Sequence, residues 1–545
     1  MQKSKIKMTI QNSKIYLVLI LFLAAFLRFY QLGINPPSLD WDEVSLGYNA
    51  YSLLKTGKDE FGRAWPISIR SFEDYKPAVY TYLTIPAVAI FGLNEFAVRL
   101  PGAILGTLTV LVTYFLVREL FNQKMGFVVT LLLAISPWHL QFSRVAFEAS
   151  AALFFVVTGC WLFLKGTNRG KWLILSVVFL VLSFYTYHSP RLVVPLILLG
   201  WGVYFRHKLW QERRYVGLAC GLGLFLLLPF FQEAYAVGRA RFTSVTVMNS
   251  AGRLDSAISR TEYDLSQGDT LGALLHNRRI VYALAILKGY LDHFNLDFLF
   301  FTGDSANRHH AQDMGMLYFW EAPFVIWGMW QLLKKRQAFP VWWWYLMAPS
   351  AAAITTGTPH AVRALIYLPT YQIFTALGLI MSYQFFKDKL WSRKKLLNFA
   401  KAALLVIVFI NVFYYLQMYY IHTPVEVSRD WQYGSKQAVT EIAAWDSQVE
   451  KIIMTYSYDQ PHTFALFYMA IDPSWYQQQV AGKEVKRDVR SFGKYEFRNI
   501  DWEKDEKLHN VLLIGTGNEI PAAAIGLVKE IKFLDGTIAF RIVKR

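Results

Sequence analysis

Residues 15–43 read IYLVLILFLAAFLRFYQLGINPPSLDWDE: an apolar run ends at Leu32, and a short Pro-containing link leads into the acidic run Asp40-Trp41-Asp42-Glu43. At about 1.5 Å of helical rise per residue, Ile15–Leu32 is long enough for the roughly 30 Å of bilayer hydrocarbon. Lys3, Lys5, Lys7 and Lys14 precede it. Basic flanks stay in the cytoplasm, so the segment is expected to run outward and deliver its three carboxylates to the extracytoplasmic face. No small-residue cleavage site follows, which separates it from a signal peptide.

The same apolar pattern recurs along the chain. Its 545 residues are 54% hydrophobic and 17% aromatic, and the apolar residues come in blocks of spanning length. That is the signature of a polytopic membrane protein. Further spans are predicted at 97–117, 125–138, 142–164, 172–188, 192–205, 215–232, 317–333, 340–357, 361–383 and 400–420, about eleven transmembrane helices in all. With the N-terminus inside, the cytoplasmic connections hold Arg118 and Lys124; Lys165, Arg169 and Lys171; Arg206, Lys208, Arg213 and Arg214; Lys334, Lys335 and Arg336; and Lys387, Lys389, Arg393, Lys394 and Lys395. Every cluster falls on one side, as the positive-inside rule requires. The net charge of +17 is therefore topology signal beside anionic headgroups, and no nucleic-acid partner is expected. Cys160 and Cys220 both fall in predicted spans and suggest neither a disulfide framework nor a zinc site.

Three segments remain, all on the outer face. The expected division is a transmembrane domain over 1–421, with outer loops 33–96 and 232–317, and an extracytoplasmic α/β domain over 422–545. Lys76–Gly92 reads as a helix lying in the interface, and Arg239–Arg279 as polar helix. The terminal domain is expected to hold strands Lys451–Tyr456 and Asn510–Gly515, a hairpin Val528–Val543 turning at Asp535-Gly536, and helices Ser435–Ala444 and Pro461–Ala470.

Polar residues gather at the outer ends of the spans. Arg144 and Glu148 are spaced for one helix face, near His139 and Gln141; Tyr187, His188 and Arg191 form a second group, His360 and Arg363 a third. An ionisable group at membrane depth costs about 2.5 kcal/mol or more, so it is usually paired or lines a wet cavity. A common outward-facing cavity accounts for them. Plainer readings stand beside it. Arg144 and Glu148 could equally form a structural ion pair, Arg191 and Arg363 snorkel to headgroups, and His309-His310 sit in a solvated loop. Asp40 is either a loop acid, a cap or a metal ligand, and Trp342-Trp343-Trp344 reads as an interfacial belt.

The stretches PPSLDWDEVSLGYNAYSLLKTGKDEFG, DYKPAVYTYL and NEFAVRLPGAILGTLTVLVTYFLVRELF, with SPWHLQFSRVAFEAS, TGDSANRHHAQDMGMLYFWEAPF, TPHAVRALIYLP and DWQYGSKQAV, resemble the GT-C superfamily of membrane glycosyltransferases. The likeness is to bacterial proteins related to protein O-mannosyltransferases and aminoarabinose transferases, glycosyltransferase family 39-like. Its most specific element is Asp42-Glu43 followed by Lys76-Pro77. The resemblance implies inverting transfer of a sugar from a polyprenyl-phosphate donor to an acceptor on the outer face of the plasma (inner) membrane. It gives Asp42 the role of base and Glu43 that of its orienting or sugar-binding neighbour. Lys76 would face the donor phosphate, helped by Arg144, Arg191 and Arg363, while Glu148, His188, Arg308, His309 and His360 line the cavity. No cofactor is required. If a divalent metal (Mg or Mn) binds, the Asp-x-Asp of Asp40 and Asp42 is its place. Trp431-Gln432-Tyr433-Gly434 lacks the Asp of the oligosaccharyltransferase signature, so N-glycan transfer is not expected. The acceptor stays open among protein, glycan, lipid and cell-wall polymer. The competing classes are a lipid-saccharide flippase, which calls for repeated halves and interrupted helices, and a non-catalytic assembly protein of the same fold.

Overall fold

A computed structural model describes residues 2–72, 74–245, 251–334, 338–389, 394–481 and 491–545. Lys335, Arg336, Arg393 and part of the Arg239–Arg279 segment lie outside the described residues. The described chain is mainly helical. Five helices are long and apolar enough to cross a membrane: Glu95–Leu120, Glu148–Gly166, Arg213–Glu233, Leu365–Lys389 and Lys394–Glu426. A sixth is added if Gln123–Ile135 and Pro137–Ser143, bent by 59°, count as one span. Helix Lys394–Gln417 shows why lipid is its solvent: Phe399, Leu405 and Phe409 are 70%, 69% and 70% exposed. A surface so apolar would be an aggregation site in water.

The chain divides into two compact units, residues 1–24, 106–141 and 152–415, and residues 25–105, 142–151 and 416–545. In the first unit, helices Ala322–Leu333 and Thr370–Lys389 touch backbone to backbone at two glycines. A Cβ at Gly328 would overlap the Phe374 carbonyl, and one at Gly378 the Phe324 carbonyl. Small residues permit such close helix pairs. Trp344 is buried and donates its indole N–H to the Ile366 carbonyl, while Trp343 donates to that of Leu196. Their N–H groups found carbonyls in the core, which fulfils the need of a buried indole as well as water does.

The second unit starts within α1 (Gln2–Phe29) and continues through α2 (Trp41–Thr56), β1 (Ser68–Ser71), β2 (Asp74–Pro77), α3 (Val79–Phe91) and the first turns of α4 (Glu95–Leu120). Asp40 is the N-cap of α2: its side chain accepts from the Glu43 N–H while the Glu43 side chain accepts from the Asp40 N–H, a reciprocal capping box. Gly57 closes the helix in the left-handed conformation at φ 68°. The predicted interfacial helix begins later than expected, because Asp74–Pro77 pairs antiparallel with Ser68–Ser71 and sets Lys76 opposite Ile69.

The C-terminal residues form a five-stranded sheet of order β4-β3-β5-β7-β6, with β3 (Lys451–Met454), β4 (Tyr495–Phe497), β5 (Val511–Gly515), β6 (Leu527–Lys532) and β7 (Ile538–Lys544). β3 runs parallel to both β4 and β5, and β5, β7 and β6 are antiparallel to one another in turn. This sheet does not build its core alone. Ile452, Met454, Leu512 and Ile514 share one buried cluster with Phe464 and Phe467 and with Val44, Tyr48, Tyr80 and Val98 of the first loop region. Gly47 of α2 is the contact point, since a Cβ there would strike Phe467 and Val98.

Candidate active site

The acidic run on α2 splits by helical geometry. Successive residues on a helix point about 100° apart, so Asp42 and Glu43 face different surroundings. Glu43 is fully buried, and its carboxylate accepts from Arg99 Nε and Nη2, each at 2.9 Å, from the Ala146 N–H at 2.8 Å and from the Asp40 N–H at 3.3 Å. Arg99, also fully buried, donates its remaining N–H groups to the carbonyls of Pro36 at 2.8 Å and Ser38 at 2.6 Å. A bidentate Arg–carboxylate fork is among the strongest and most directional side-chain pairs. Glu43 therefore ties α2, α4 and residues 144–147 together and has no acceptor left to orient a neighbour or hold a sugar.

Asp42 turns the other way and forms an ion pair with Lys76 of β2. The lysine side chain is 14% exposed and the aspartate 34%, so the pair sits at the edge of solvent. Burial pushes the Lys76 ammonium down, but Asp42, Glu148 and Asp40 together hold it above the ordinary lysine range. The Phe72 ring lies 5.4 Å from the ammonium. Glu148 opens the helix α5 (Glu148–Gly166), where a carboxylate also meets the positive end of the helix dipole. One cation thus faces three acids from α2, the turn before it and α5.

Arg144 and Glu148 do not share a helix face. Pro137–Ser143 ends before Arg144, and residues 144–147 are extended or bent, because the Ala146 N–H is bonded to Glu43 in place of a helical carbonyl. Arg144 is buried and donates to the carbonyls of Leu27, Arg28 and Asn35 at 2.8, 3.1 and 3.0 Å and to the Tyr419 hydroxyl at 3.1 Å. It satisfies the carbonyls where α1 ends, the groups a helix leaves orphaned.

The remaining sequence candidates lie in the first unit. Arg191 donates to the Phe184 carbonyl at 3.0 Å and lies 2.7 Å from His188 Nδ1. Arg363 donates to Thr355 Oγ1 at 2.7 Å and to the Thr356 carbonyl at 2.9 Å. The Arg308 carbonyl accepts from Gln141 at 2.6 Å. His309 Nδ1 lies 2.7 Å from Asp304 Oδ2, which also accepts from the Ala361 N–H. The His360 ring is 5.1 Å from that of His309. Among the described residues, Asp304, His309 and His360 form the group whose ligand atoms, all within 4.8 Å, could hold a metal ion. The oxygen and imidazole set differs from the Asp40–Asp42 pair expected from the sequence, where Asp40 is fully buried as a helix cap.

Three residues escaped the sequence reading. Arg99 carried a signal, an ionisable group inside a predicted span. Asn35, which donates to the Tyr419 carbonyl, and Gln432, which accepts from the Trp41 N–H and donates to the Tyr458 carbonyl, carried none, since an amide in a loop is ordinary.

The family described as dolichyl-phosphate-mannose-protein mannosyltransferase matches residues 75–231. YkcB of Bacillus subtilis, a presumed mannosyltransferase by its name, is 28% identical over 31% of this chain and 23% of its own length. YycA of the same organism, similarly named, is 25% identical over 31% of this chain and 24% of its own. The chain thus spans about a quarter of the length of these two relatives. ArnT from Cupriavidus metallidurans bound to undecaprenyl phosphate shares the fold at a TM-score of 0.56 and 14% identity, covering 96% of this chain and 97% of that one. Its apo state gives 0.55 at 13% identity, with 98% of each chain covered. Helices of spanning length make the chain a multi-pass membrane protein; its fold is similar to that of ArnT, and residues 75–231 resemble the dolichyl-phosphate-mannose-protein mannosyltransferase family.

Proposed function

We propose that the chain transfers a sugar from a polyprenyl-phosphate donor to a hydroxyl acceptor by direct inverting displacement, with Asp42 as general base and Lys76 at the donor phosphate. The observation that carries this reading is the Asp42–Lys76 ion pair at the solvent edge, beside Glu148. The undecaprenyl phosphate in the ArnT structure supports the class of donor.

The pair reads as a resting state. A donor phosphate offers the ammonium a competing anion, and when Lys76 turns to it the Asp42 carboxylate is released. Asp42 then accepts the proton of the acceptor hydroxyl as its oxygen bonds to the anomeric carbon. The bond from that carbon to the phosphate oxygen breaks on the opposite side, and the electron pair stays on the phosphate. Lys76 stabilises that growing charge more in the transition state than in the ground state. Glu148 and Asp40 add to the negative field that favours the protonated ammonium. Arg144 donates through Nε, Nη1 and Nη2 to protein acceptors, and Arg191 and Arg363 each donate part of their N–H groups within the first unit, so the phosphate is given first to Lys76, with His188, Arg308, His309 and His360 left to shape the first unit. The topology that goes with this reading has about eleven spans, the N-terminus in the cytoplasm and the C-terminal domain outside.

The test is to incubate purified protein in nanodiscs with a panel of polyprenyl-phosphate sugars. One donor is expected to be consumed with release of polyprenyl phosphate. Movement of donor across the bilayer without bond cleavage would make the protein a flippase instead. Lys76→Met is expected to raise the donor KM and to lower kcat/KM by about 10²-fold, the usual scale for removing one donor to a developing anion. An unchanged donor KM would take Lys76 away from the phosphate.

A further inference from the structure

The C-terminal sheet carries a second polar cavity, remote in sequence from Asp42 and Lys76. β3 leads through helices Pro461–Tyr468 and Pro473–Val480 to β4, and β4 leads through the short helix Trp502–Asp505 to β5. These two connections cover opposite faces. Phe464, Phe467 and Tyr476 pack in the cluster of Ile452 and Met454, whereas Trp502, Ile500 and Ile520 pack in that of Ile453 and Leu513. β3 is flanked by parallel strands reached over opposite faces, the arrangement that opens a ligand crevice at the carboxyl ends of strands in α/β sheets.

A cavity of about 620 Å³ lies at that edge, lined by the turns after β3, β4 and β5 and by the start of β7. Its size falls within the range of small-molecule sites. The floor is preformed. Glu519 accepts from the Thr516 and Ile500 N–H groups at 2.7 and 3.2 Å and from Thr455 Oγ1 at 2.7 Å, pinning the three turns together. Arg541 is spent on the carbonyls of Gly517 and Ile520 and on Glu530.

What remains available is different in kind. Asn499 and Asn518 are exposed, line the cavity, and have no side-chain partner among the described residues. Arg429 holds its guanidinium at the rim, bonded to the Tyr458 hydroxyl and lying 5.9 Å from the Tyr458 ring and 5.8 Å from that of Phe533, with its other N–H groups at the cavity edge. A carboxamide offers both donor and acceptor, which suits vicinal hydroxyls, each of which also does both. The Glu519 carboxylate offsets one of the two guanidinium groups in the lining, and both it and Arg541 are already bonded to protein groups, which leaves the two carboxamides as the open polar groups.

We propose that this cavity binds a neutral saccharide through Asn499, Asn518 and Arg429. This site stands apart from the transfer reaction, so the Asp42→Asn protein is expected to bind as the wild type does, whatever its activity. The test uses full-length protein in nanodiscs, free of glycoside detergent. Methyl α-mannoside, maltose and N,N′-diacetylchitobiose are titrated with saturation-transfer NMR as the readout, and inorganic phosphate serves as the anionic probe. At least one saccharide is expected to bind, and Asn499→Ala with Asn518→Ala to weaken it by roughly tenfold or more, the scale of losing two hydrogen bonds. Arg429→Ala, another exposed position, supplies an independent variant with the same expectation. Failure of all three saccharides, affinity unchanged in these variants, or displacement of saccharide by phosphate would overturn the proposal.

Discussion

Asp42→Asn is expected to lower sugar transfer by about 10²- to 10⁴-fold, the usual contribution of a positioned general base. Asparagine keeps the size of the side chain and one oxygen that Lys76 can donate to, but it cannot take the acceptor proton. The accompanying loss of stability is small. Pairing with acids raises the Lys76 pKa, so its stabilisation is complete below the ordinary lysine value of 10.5 and fades only as the pH climbs through the raised folded value. At neutral pH the variant therefore loses whatever the pair contributes. Asp42 is about a third exposed, which limits that loss to the order of 1 kcal/mol. Initial rates of donor consumption, measured beside thermal midpoints in nanodiscs, separate the two effects. A variant retaining rates within about threefold of wild type would remove Asp42 from the chemistry. Combining Asp42→Asn with Lys76→Met should cost much less than the product of the single effects, because residues that act as a unit are not additive.

The parts of this site that were legible in the sequence are those whose signal is local. An acidic run just past an apolar segment and a Lys-Pro in the next loop stand out on composition, and strands such as Lys451–Met454 and Val511–Gly515 announce themselves as short apolar runs. Tyr495–Phe497 did not, being a three-residue strand that exists only because Ile452–Met454 lies beside it. The pairing of Asp40 with Glu43 was written in the sequence as a capping box, yet the charge drew attention to chemistry instead of to the helix start. Arg144 and Glu148 show the opposite failure. Their spacing suggested one helix face, but a contact from Glu43, distant in the chain, took the Ala146 N–H and broke the helix between them. Glu43 and Arg99 lie far apart in sequence, and no periodicity can announce that their forks meet.

Breaking that pair is expected to have the largest effect on folding. Glu43→Gln and Arg99→Leu should each destabilise the protein by about 3–5 kcal/mol, since each leaves a fully buried partner without its counter-charge. Glutamine would accept at one position only, and its amide group would point donors at a guanidinium or at the Asp40 N–H. The consequences spread because this carboxylate is where α2, α4 and residues 144–147 converge. The thermal midpoint should fall sharply, and activity should fall with the folded fraction. This separates Glu43 from Asp42, whose substitution removes activity from protein that still melts near the wild-type temperature. The double variant Glu43→Leu/Arg99→Leu gives the sharper test. Removing both charges eliminates the uncompensated ion, and apolar replacements for buried pairs are often close to neutral, so the double variant should recover part of the stability that either single change loses. If Glu43→Gln instead melted as the wild type does and lost transfer, Glu43 would belong to the reaction and not to the brace that holds Asp42 in place.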